Sequence, residues 1–598
     1  MKKFFVFGIS VVLTVLLLGG ICYGQNPAFV PGSFLWQEEG YLMGVPGETA
    51  CSVLDQNFKT AAEVQSNTGE TLSDSDYVGT GATVKAEGQL EAVILGDVTG
   101  DGRVTTTDYL RIKRVFSGDM ALEGAYGVAA DVDSDGKINS TDYLKIKKCF
   151  EGSVDLYTAL KIDPYVSEFE HKDYDMSGYK MDRSKFNIGA YYMTSDILSE
   201  QFIKDYKNDF AGDFITCGIT GTGTKAKNFM KWCDQYGVGV IGRHNGLTKW
   251  TYTSAPGKLD PADWTDFESQ LEAYSMEYNC LWSDEVFDEP RTEYFNWLAG
   301  AKSRYDARFS DRFIYYNLNP VGVKGLSDGC GAQDYRDYIR QYVNTVDTDY
   351  ISFDIYPFDN QFQGMHLYYL ENMDVVASAC RETGRDFWLI SQAGSKLATN
   401  PMTKAQISWQ MYTAMAYGSK AVMHACLSSA DGWWEEGASL VNKDGTYNDI
   451  WSYAGEVNKE VKFFSDVYMQ YDNLGVFGMA TPQNSFVATQ IRSQTRRNDA
   501  RGYSGARGFS DITASRGLLV GSFAEKTGNG YAMMLVDSSD PYKGDNGNNT
   551  VTFRTAVSEG VKVTAYIGGT STVLTPADGV YTVELTNGQG CFVTVSNP

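Results

Sequence analysis

No run of basic residues occurs anywhere in the 598-residue chain, and Asp and Glu outnumber Lys and Arg by 75 to 51, a formal charge of −24. A surface of that sign repels nucleic-acid phosphates and anionic lipid headgroups; it excludes nucleic acid and membrane as expected partners and leaves a neutral polymer open. Beyond residue 24 no apolar stretch is long enough to hold the chain in a bilayer. Residues 1–24 combine Lys2-Lys3, an apolar stretch from Phe4 to Leu18 and small residues at Gly19, Gly20 and Gly24, the pattern of a secretory signal peptide, so a secreted, extracellular protein is expected. Cys22 makes no lipoprotein box, because Ile21 stands where a small residue is needed. The nine cysteines left after cleavage are odd in number and not closely paired, and they read as small buried hydrophobes rather than a disulfide or zinc framework. What the chain has in quantity is aromatic residues, 14% against 21% charged, the composition of a folded body whose length calls for three or four domains.

One internal repeat stands out, at an offset of 34 residues: Asp97-Val-Thr-Gly-Asp-Gly-Arg-Val-Thr-Thr-Thr-Asp108 and Asp131-Val-Asp-Ser-Asp-Gly-Lys-Ile-Asn-Ser-Thr-Asp142. Each is a twelve-residue calcium loop. Oxygen ligands fall at Asp97, Thr99, Asp101 and Asp108 and at Asp131, Asp133, Asp135 and Asp142. The carbonyls of Arg103 and Lys137 occupy position 7, Thr105 and Asn139 occupy position 9, and Gly102 or Gly136 permits the sharp turn. Hard oxygen donors at that spacing select Ca2+, two ions in all. An amphipathic helix follows each loop, from Tyr109 to Phe116 and from Tyr143 to Phe150.

Position 12 is Asp rather than the Glu of an ordinary EF-hand, and no helix enters either loop. In both respects residues 97–152 resemble the type I dockerin family, whose duplicated loop-helix modules bind cohesin domains of a scaffold protein. The resemblance implies a cellulosome component, at a cell surface or free. It places the cohesin-facing residues at Thr106, Thr107, Lys113 and Arg114 in the first repeat and Ser140, Thr141, Lys147 and Lys148 in the second, with two rotated binding modes. Thr99 departs from the usual Asn or Asp at position 3, which makes the first site the expected weaker one. Residues 25–96, with short alternating segments broken by Gly and Pro, read as a small β module; residues 153–185 read as a linker.

From Phe186 the chain alternates short apolar runs with longer amphipathic stretches, eight times over. The strands expected are Phe186–Tyr192, Asp213–Gly218, Gly239–His244, Asn279 to Glu289, Phe313–Leu318, Tyr350–Tyr356, Phe387–Gln392 and Ala421–Cys426. Eight units over residues 186–465 fit a (β/α)8 TIM barrel with its active site at the C-terminal strand ends. An open doubly wound sheet is the alternative, disfavoured because no glycine-rich phosphate loop follows the first strand. Residues 466–598 alternate as a β-sandwich. The fold class expected is therefore multidomain: small β module, α-helical calcium-binding module, TIM barrel and β-sandwich.

Within the barrel, Asp288-Glu289-Pro290 ends strand four, Phe353-Asp354-Ile355-Tyr356-Pro357 ends strand six and Ala416-Tyr417-Gly418 precedes strand eight. The segment from Asp288 to about Lys462 resembles clan A glycoside hydrolases, and more narrowly bacterial β-galactosidase-like proteins with "DEP", "YDxYP" and "AYG" at these places. The resemblance implies Glu289 as general acid/base. It also implies a nucleophilic Glu at the end of strand seven, where this chain has Gln392, which cannot form a glycosyl ester. Asp354 is the expected replacement, as a base for water or an unusual nucleophile. Asp288, Tyr356, Gln392, His424, Trp433 and Trp434 are expected to bind sugar, Gln392 through a hydroxyl and the tryptophans by stacking; for His424 a hydrogen-bonded interior place is the alternative, and for at least one of the tryptophans packing against the barrel is. Asp284 and Glu285 read as a solvated rim, with one of the two in the place of Asp354 as the alternative. No cofactor is expected in the barrel. The expected function is a glycoside hydrolase acting on plant cell-wall or related polysaccharides, with a noncatalytic carbohydrate-binding barrel or a structural cellulosome component as the alternatives.

Overall fold

The structure is a computed structural model that describes residues 36–150 and 169–596, apart from 133–137, 194–196, 218–222, 244–263, 270–277, 321–330, 359–368, 430–433, 480–505, 539–546, 556–560 and a few single positions and pairs. The signal-peptide segment, the centre of the second calcium loop and Trp433 thus lie outside the described residues. The chain divides after Pro164 into two compact units.

In the first unit β1 (Trp36–Glu38), β2 (Tyr41–Met43), α1 (Cys51–Asp55), β3 (Glu63–Gln65), β4 (Thr83–Lys85) and β5 (Gln89–Ala92) build a five-stranded sheet in the order β1-β2-β5-β4-β3. Helices α2 (Thr106–Phe116), α3 (Gly124–Ala130) and α4 (Ser140–Phe150) follow, and α3, which ends on Asp131, enters the second loop, contrary to the expectation that no helix enters either one. Sheet and helices share a core: Met43 and Val93 pack with Val98, Ile112, Ala129 and Ile146. The module also grips the first loop directly. Glu48 N–H donates to the Gly102 carbonyl at 2.7 Å, Thr80 N–H donates to Asp97 Oδ2 at 2.9 Å, and a Cβ at Gly79 would stand 2.0 Å from the Gly100 carbonyl oxygen. Only glycine allows that approach.

The second unit opens on the barrel. Its elements are β6 (Asn187–Met193), α5 (Glu200–Asn208), β7 (Phe214–Cys217), α6 (Thr224–Tyr236), β8 (Gly239–Arg243), β9 (Leu281–Asp288), α7 (Phe295–Arg308), β10 (Phe313–Asn317), α8 (Tyr335–Thr345), β11 (Tyr350–Ile355), α9 (Tyr369–Thr383), β12 (Asp386–Gln392), α10 (Lys404–Ala416), β13 (Ala421–Ala425) and α11 (Asp449–Tyr468). All eight strands run parallel in the order β10-β9-β8-β7-β6-β13-β12-β11, and a bridge between Leu318 and Phe353 joins the two ends. Every strand read from the sequence is present within two residues of its expected ends.

Alternation along the strands explains why they read as continuous apolar runs. One set of side chains, among them Ile188, Ile215, Val240, Ile314, Phe353 and Leu389, packs outward under the helices. The other, with Phe214, Ile241, Tyr315, Tyr350, Trp388 and Met423, fills the interior. Arg183 seals the N-terminal end: it is buried, bonded to Asp386 Oδ2 at 2.7 Å and Asp349 Oδ1 at 3.2 Å, and its guanidinium lies 4.6 Å from the centre of the Trp388 ring. That end is closed, which leaves the opposite end as the place for a site.

Beyond α11 come β14 (Tyr471–Met479), β15 (Phe509–Ala514), β16 (Leu518–Glu525), β17 (Tyr531–Asp537), β18 (Asn549–Thr555), β19 (Lys562–Ile567), β20 (Thr570–Val573), β21 (Tyr581–Leu585) and β22 (Gly590–Ser596). They form an antiparallel six-stranded sheet, β14-β16-β17-β22-β19-β20, over a three-stranded one, β15-β18-β21. The larger sheet docks on α10 and α11, where Cβ atoms at Gly521 and Gly590 would strike the Ala416 carbonyl and the Tyr412 ring. The six cysteines whose side chains are described are buried thiols, with no disulfide among them.

Candidate functional site

In the first calcium loop, the main chain folds around two aspartates. Asp97 Oδ1 accepts N–H bonds from Gly100 at 2.7 Å and Asp101 at 3.3 Å, and its Oδ2 accepts from Gly102 at 2.9 Å. Asp108 Oδ1 accepts from Val98 and Thr99, both at 3.0 Å, and its Oδ2 from Thr105 at 2.8 Å, closing the capping box that starts α2. Oxygens of Asp97, Asp101 and Asp108 lie within 4.8 Å of one another, and Gly102 turns at φ +78°. Three hard, anionic oxygens that close fit a calcium ion, whose charge offsets their repulsion. Burial pushes the Asp97 carboxyl upward, a cost a cation there would remove.

Of the second loop, Asp131, Asn139 and Asp142 are described, while Asp133, Asp135 and Lys137 are not. Asn139 N–H donates to Asp142 Oδ2 at 2.9 Å, the counterpart of the Thr105–Asp108 bond 34 residues earlier. The two helices meet through equivalent residues: the Tyr109 and Tyr143 rings stack at 5.1 Å. Leu110 and Leu144, also equivalent, stay 52% and 51% exposed, and Thr106, Thr107, Lys113, Arg114 and Ser140 are exposed beside them. Lys147 is half-buried, and the side chains of Thr141 and Lys148 are not among those described.

At the C-terminal end of the barrel, polar side chains from adjacent strands replace the apolar interior. Asp288 and Glu285 come from β9, Arg243 from β8, Asn317 from β10 and Asp354 from β11. Asn317 Nδ2 donates to Asp354 Oδ1 at 2.8 Å and to Asp288 Oδ1 at 3.1 Å, so those two oxygens lie no more than ~6 Å apart. Arg243 stands 3.6 Å from Glu285 and 3.8 Å from Asp288, and Tyr191 O–H donates to Glu285 Oε1 at 2.8 Å. Burial, reinforced by the Asp288 charge, pushes the Asp354 carboxyl up to about 7. Burial likewise lifts Glu285 to about 7 against the pull of Arg243, and raises Asp288.

Glu289 turns the chain out of β9 at φ +50°, a conformation L side chains rarely adopt. It is held there by its N–H on the Asn317 carbonyl at 2.8 Å and by Asn319 Nδ2 on its own carbonyl at 2.8 Å. Tyr338 O–H and Asn319 Nδ2 fix the following Pro290 carbonyl. Strain held by surrounding bonds is common at working sites. Glu289 is half-buried, and its charge bears on Tyr356. Tyr356 in turn bears on Asp354, favouring the charged carboxylate, and meets Trp434 edge-on at 5.5 Å.

Several expected roles do not survive the geometry. Asp284 and Glu285 are not a solvated rim: both are buried, Asp284 facing the helical layer against Tyr305 O–H at 2.5 Å and Glu285 facing the interior. His424 points away from the mouth, with Nε2 2.9 Å from Asn458 of α11 and Nδ1 3.3 Å from Ser391. Burial lowers it to about 4, which leaves a neutral packing residue and no sugar ligand. Gln392 is fully buried with its amide engaged by main chain, so no sugar hydroxyl reaches it. Trp434 is buried in the interior cluster, filling the space at Gly394, and offers no open stacking face. Arg243 and Asn317 were not singled out in the sequence; each is a polar residue at the last position of an otherwise apolar barrel strand.

Residues 95–151 match the Dockerin type I domain family. Among curated proteins none matches the chain. Similar solved structures include a family 30 endoxylanase from Clostridium papyrosolvens C71, at 13% identity and TM-score 0.37 over 69% of this chain and 97% of that one. Others are a glycoside hydrolase family 30 subfamily 8 xylanase from Clostridium acetobutylicum (12%, 0.39, 69% and 96%) and an endo-β-1,4-mannanase from Thermotoga petrophila (11%, 0.33, 68% and 93%). No residue role is carried over from them.

Proposed function

We propose that the chain is a secreted glycoside hydrolase of plant cell-wall or related polysaccharides, attached through a calcium-loaded dockerin to a scaffold cohesin. The observation that carries the hydrolytic reading is the bridging of Asp288 and Asp354 by one Asn317 amide, with Glu289, turned out at φ +50°, tied by its N–H to the carbonyl of that same Asn317. Glu289 gives its proton to the glycosidic oxygen as the bond to the anomeric carbon breaks. Asp354 takes a proton from the water whose oxygen bonds to that carbon, and Asn317 holds Asp354 in place beside Asp288. A base works best when its pKa lies near the operating pH, and an Asp354 carboxyl at about 7 meets that condition. On the dockerin, two ions are held by the two loops, and the near-duplicate faces of α2 and α4 support cohesin binding in either of two orientations.

The test is release of reducing sugar by the purified chain across a glycan panel, with Glu289→Gln beside it. Loss of about 10²–10⁴-fold in turnover is expected. Glycan binding without any hydrolysis would instead make the barrel a noncatalytic carbohydrate-binding module.

A further inference from the structure

Gln392 ends β12, the position at which the hydrolases this sequence resembles carry their nucleophile. Its side-chain Oε1 accepts the Phe358 N–H at 2.8 Å, and its Nε2 donates to the Gly394 carbonyl at 2.9 Å. Its main chain is tied as well: Gln410 of α10 accepts the Gln392 N–H at 2.8 Å and donates to its carbonyl at 3.0 Å. Phe358 lies two residues past Tyr356, on the segment that leaves β11 after Asp354. Gly394 begins the connection from β12 to α10 and is packed so tightly that a Cβ there would stand 2.5 Å from the Trp434 ring. One amide therefore staples the exits of two adjacent strands, and it needs an acceptor on one end and a donor on the other.

We propose that Gln392 is a positioning residue that clamps these two connections so as to hold Asp354 and Tyr356 at the mouth, and that hydrolysis there is a direct displacement by water without a glycosyl ester on β12. The proposal rests on the hydrolytic reading of the mouth. In the displacement, the water oxygen bonds to the anomeric carbon as the bond to the leaving sugar breaks. The water proton goes to Asp354, the leaving oxygen takes the proton of Glu289, and the configuration inverts.

The Gln392→Glu variant separates this account from a lost nucleophile. Its carboxylate still accepts from Phe358 N–H, but its second oxygen then faces the Gly394 carbonyl, two buried acceptors with no proton between them. Only the protonated acid reproduces the amide, so the defect is expected to depend on pH. Hydrogen exchange at the amides of Tyr356, Phe358, Ala393 and Gly394 in the full chain should quicken at least ~10-fold in Gln392→Glu at pH 8 and return toward native rates at pH 5. Gln392→Met, which lacks both polar ends, should show the increase at both pH values. On a cleaved substrate, the ratio of variant to native kcat/KM should be about 0.01–0.1 at pH 8 and rise toward one at pH 5, because a small misplacement of reacting groups costs up to about 10²-fold. The first sugar released by the native protein, followed by proton NMR, should be the inverted anomer. A Gln392→Glu variant more active than native, a fluoroglycoside adduct on that variant's introduced carboxylate by mass spectrometry, or a retained anomer would overturn the proposal. If the native protein cleaves no glycan, the hydrolytic reading falls. Exchange still decides the clamp, and unchanged rates at pH 8 in both variants would end it.

Discussion

The calcium loop and the barrel mouth both gather carboxylates, but they support them differently. In the loop, Asp97 and Asp108 are met by N–H groups of residues three to ten positions away, with one added from Thr80 of the β module. At the mouth, Glu285, Asp288 and Asp354 are met by side chains of Tyr191, Arg243 and Asn317, each from another strand. Local main-chain donors shape a cage that fits an external cation, whose charge would offset that of the carboxylates. Distant side-chain donors leave the mouth acids buried with one arginine among them, so protons supply what charge does not, and their pKa values rise.

Removing the cation should affect the loop far more than the mouth. Chelation, or Asp97→Ala together with Asp131→Ala, is expected to weaken cohesin binding by more than ~100-fold while leaving the melting of the barrel unchanged, since an ion that completes a loop also folds it. Undiminished cohesin binding in a calorimeter would show that the loop needs no ion.

At the mouth the corresponding change adds stability rather than removing it. Asp354 keeps its proton in the fold up to about pH 7, whereas the unfolded chain loses it above ~4, so native stability declines as pH rises from ~4 to ~7 and stays lower beyond. Asp354→Asn, which still offers an oxygen to Asn317, is expected to gain roughly 4 kcal/mol at pH 8 and nothing at pH 4, while losing hydrolysis at both. Equal gains at the two pH values, read by denaturant melts, would mean that burial of the charge is not the cause.

A smaller effect is expected where the β module touches the loop. Gly79→Val drives a side chain into the Gly100 carbonyl and should weaken calcium binding at the first site by about 10-fold, with the second site unchanged. The smallest effect should come from Thr106→Ala with Thr107→Ala, less than ~3-fold in cohesin affinity by titration, because the second face remains. Adding Ser140→Ala and Thr141→Ala should then abolish binding, and a large loss from the first pair alone would rule out two binding modes.

The same contrast explains what was legible in the sequence. Ligands at fixed offsets within twelve residues announce a calcium loop from Asp97 to Asp108, and the eight strands announced themselves because burial on both faces makes each a continuous apolar run. The mouth was half legible. Glu289 and Asp354 stood at recognisable strand ends, but Arg243 and Asn317 had no neighbour in sequence to mark them, and only the closure of the barrel brings them to Asp288 and Asp354. Whether a side chain faces in or out of a strand also decided His424 and Asp284, both turned toward the helices. The grip of Gly79 on the loop was invisible for the same reason: it is a contact between segments some twenty residues apart, made possible by an absent side chain.

Action of Glu289 and Asp354 as acid and base on a glycosidic bond can be read from the kcat/KM of Glu289→Gln on aryl glycosides of graded leaving-group acidity. The loss should be about 10²–10⁴-fold for a poor leaving group and shrink toward native rates for a good one, which needs no proton. A loss of the same size for every leaving group, or none for any, would contradict it.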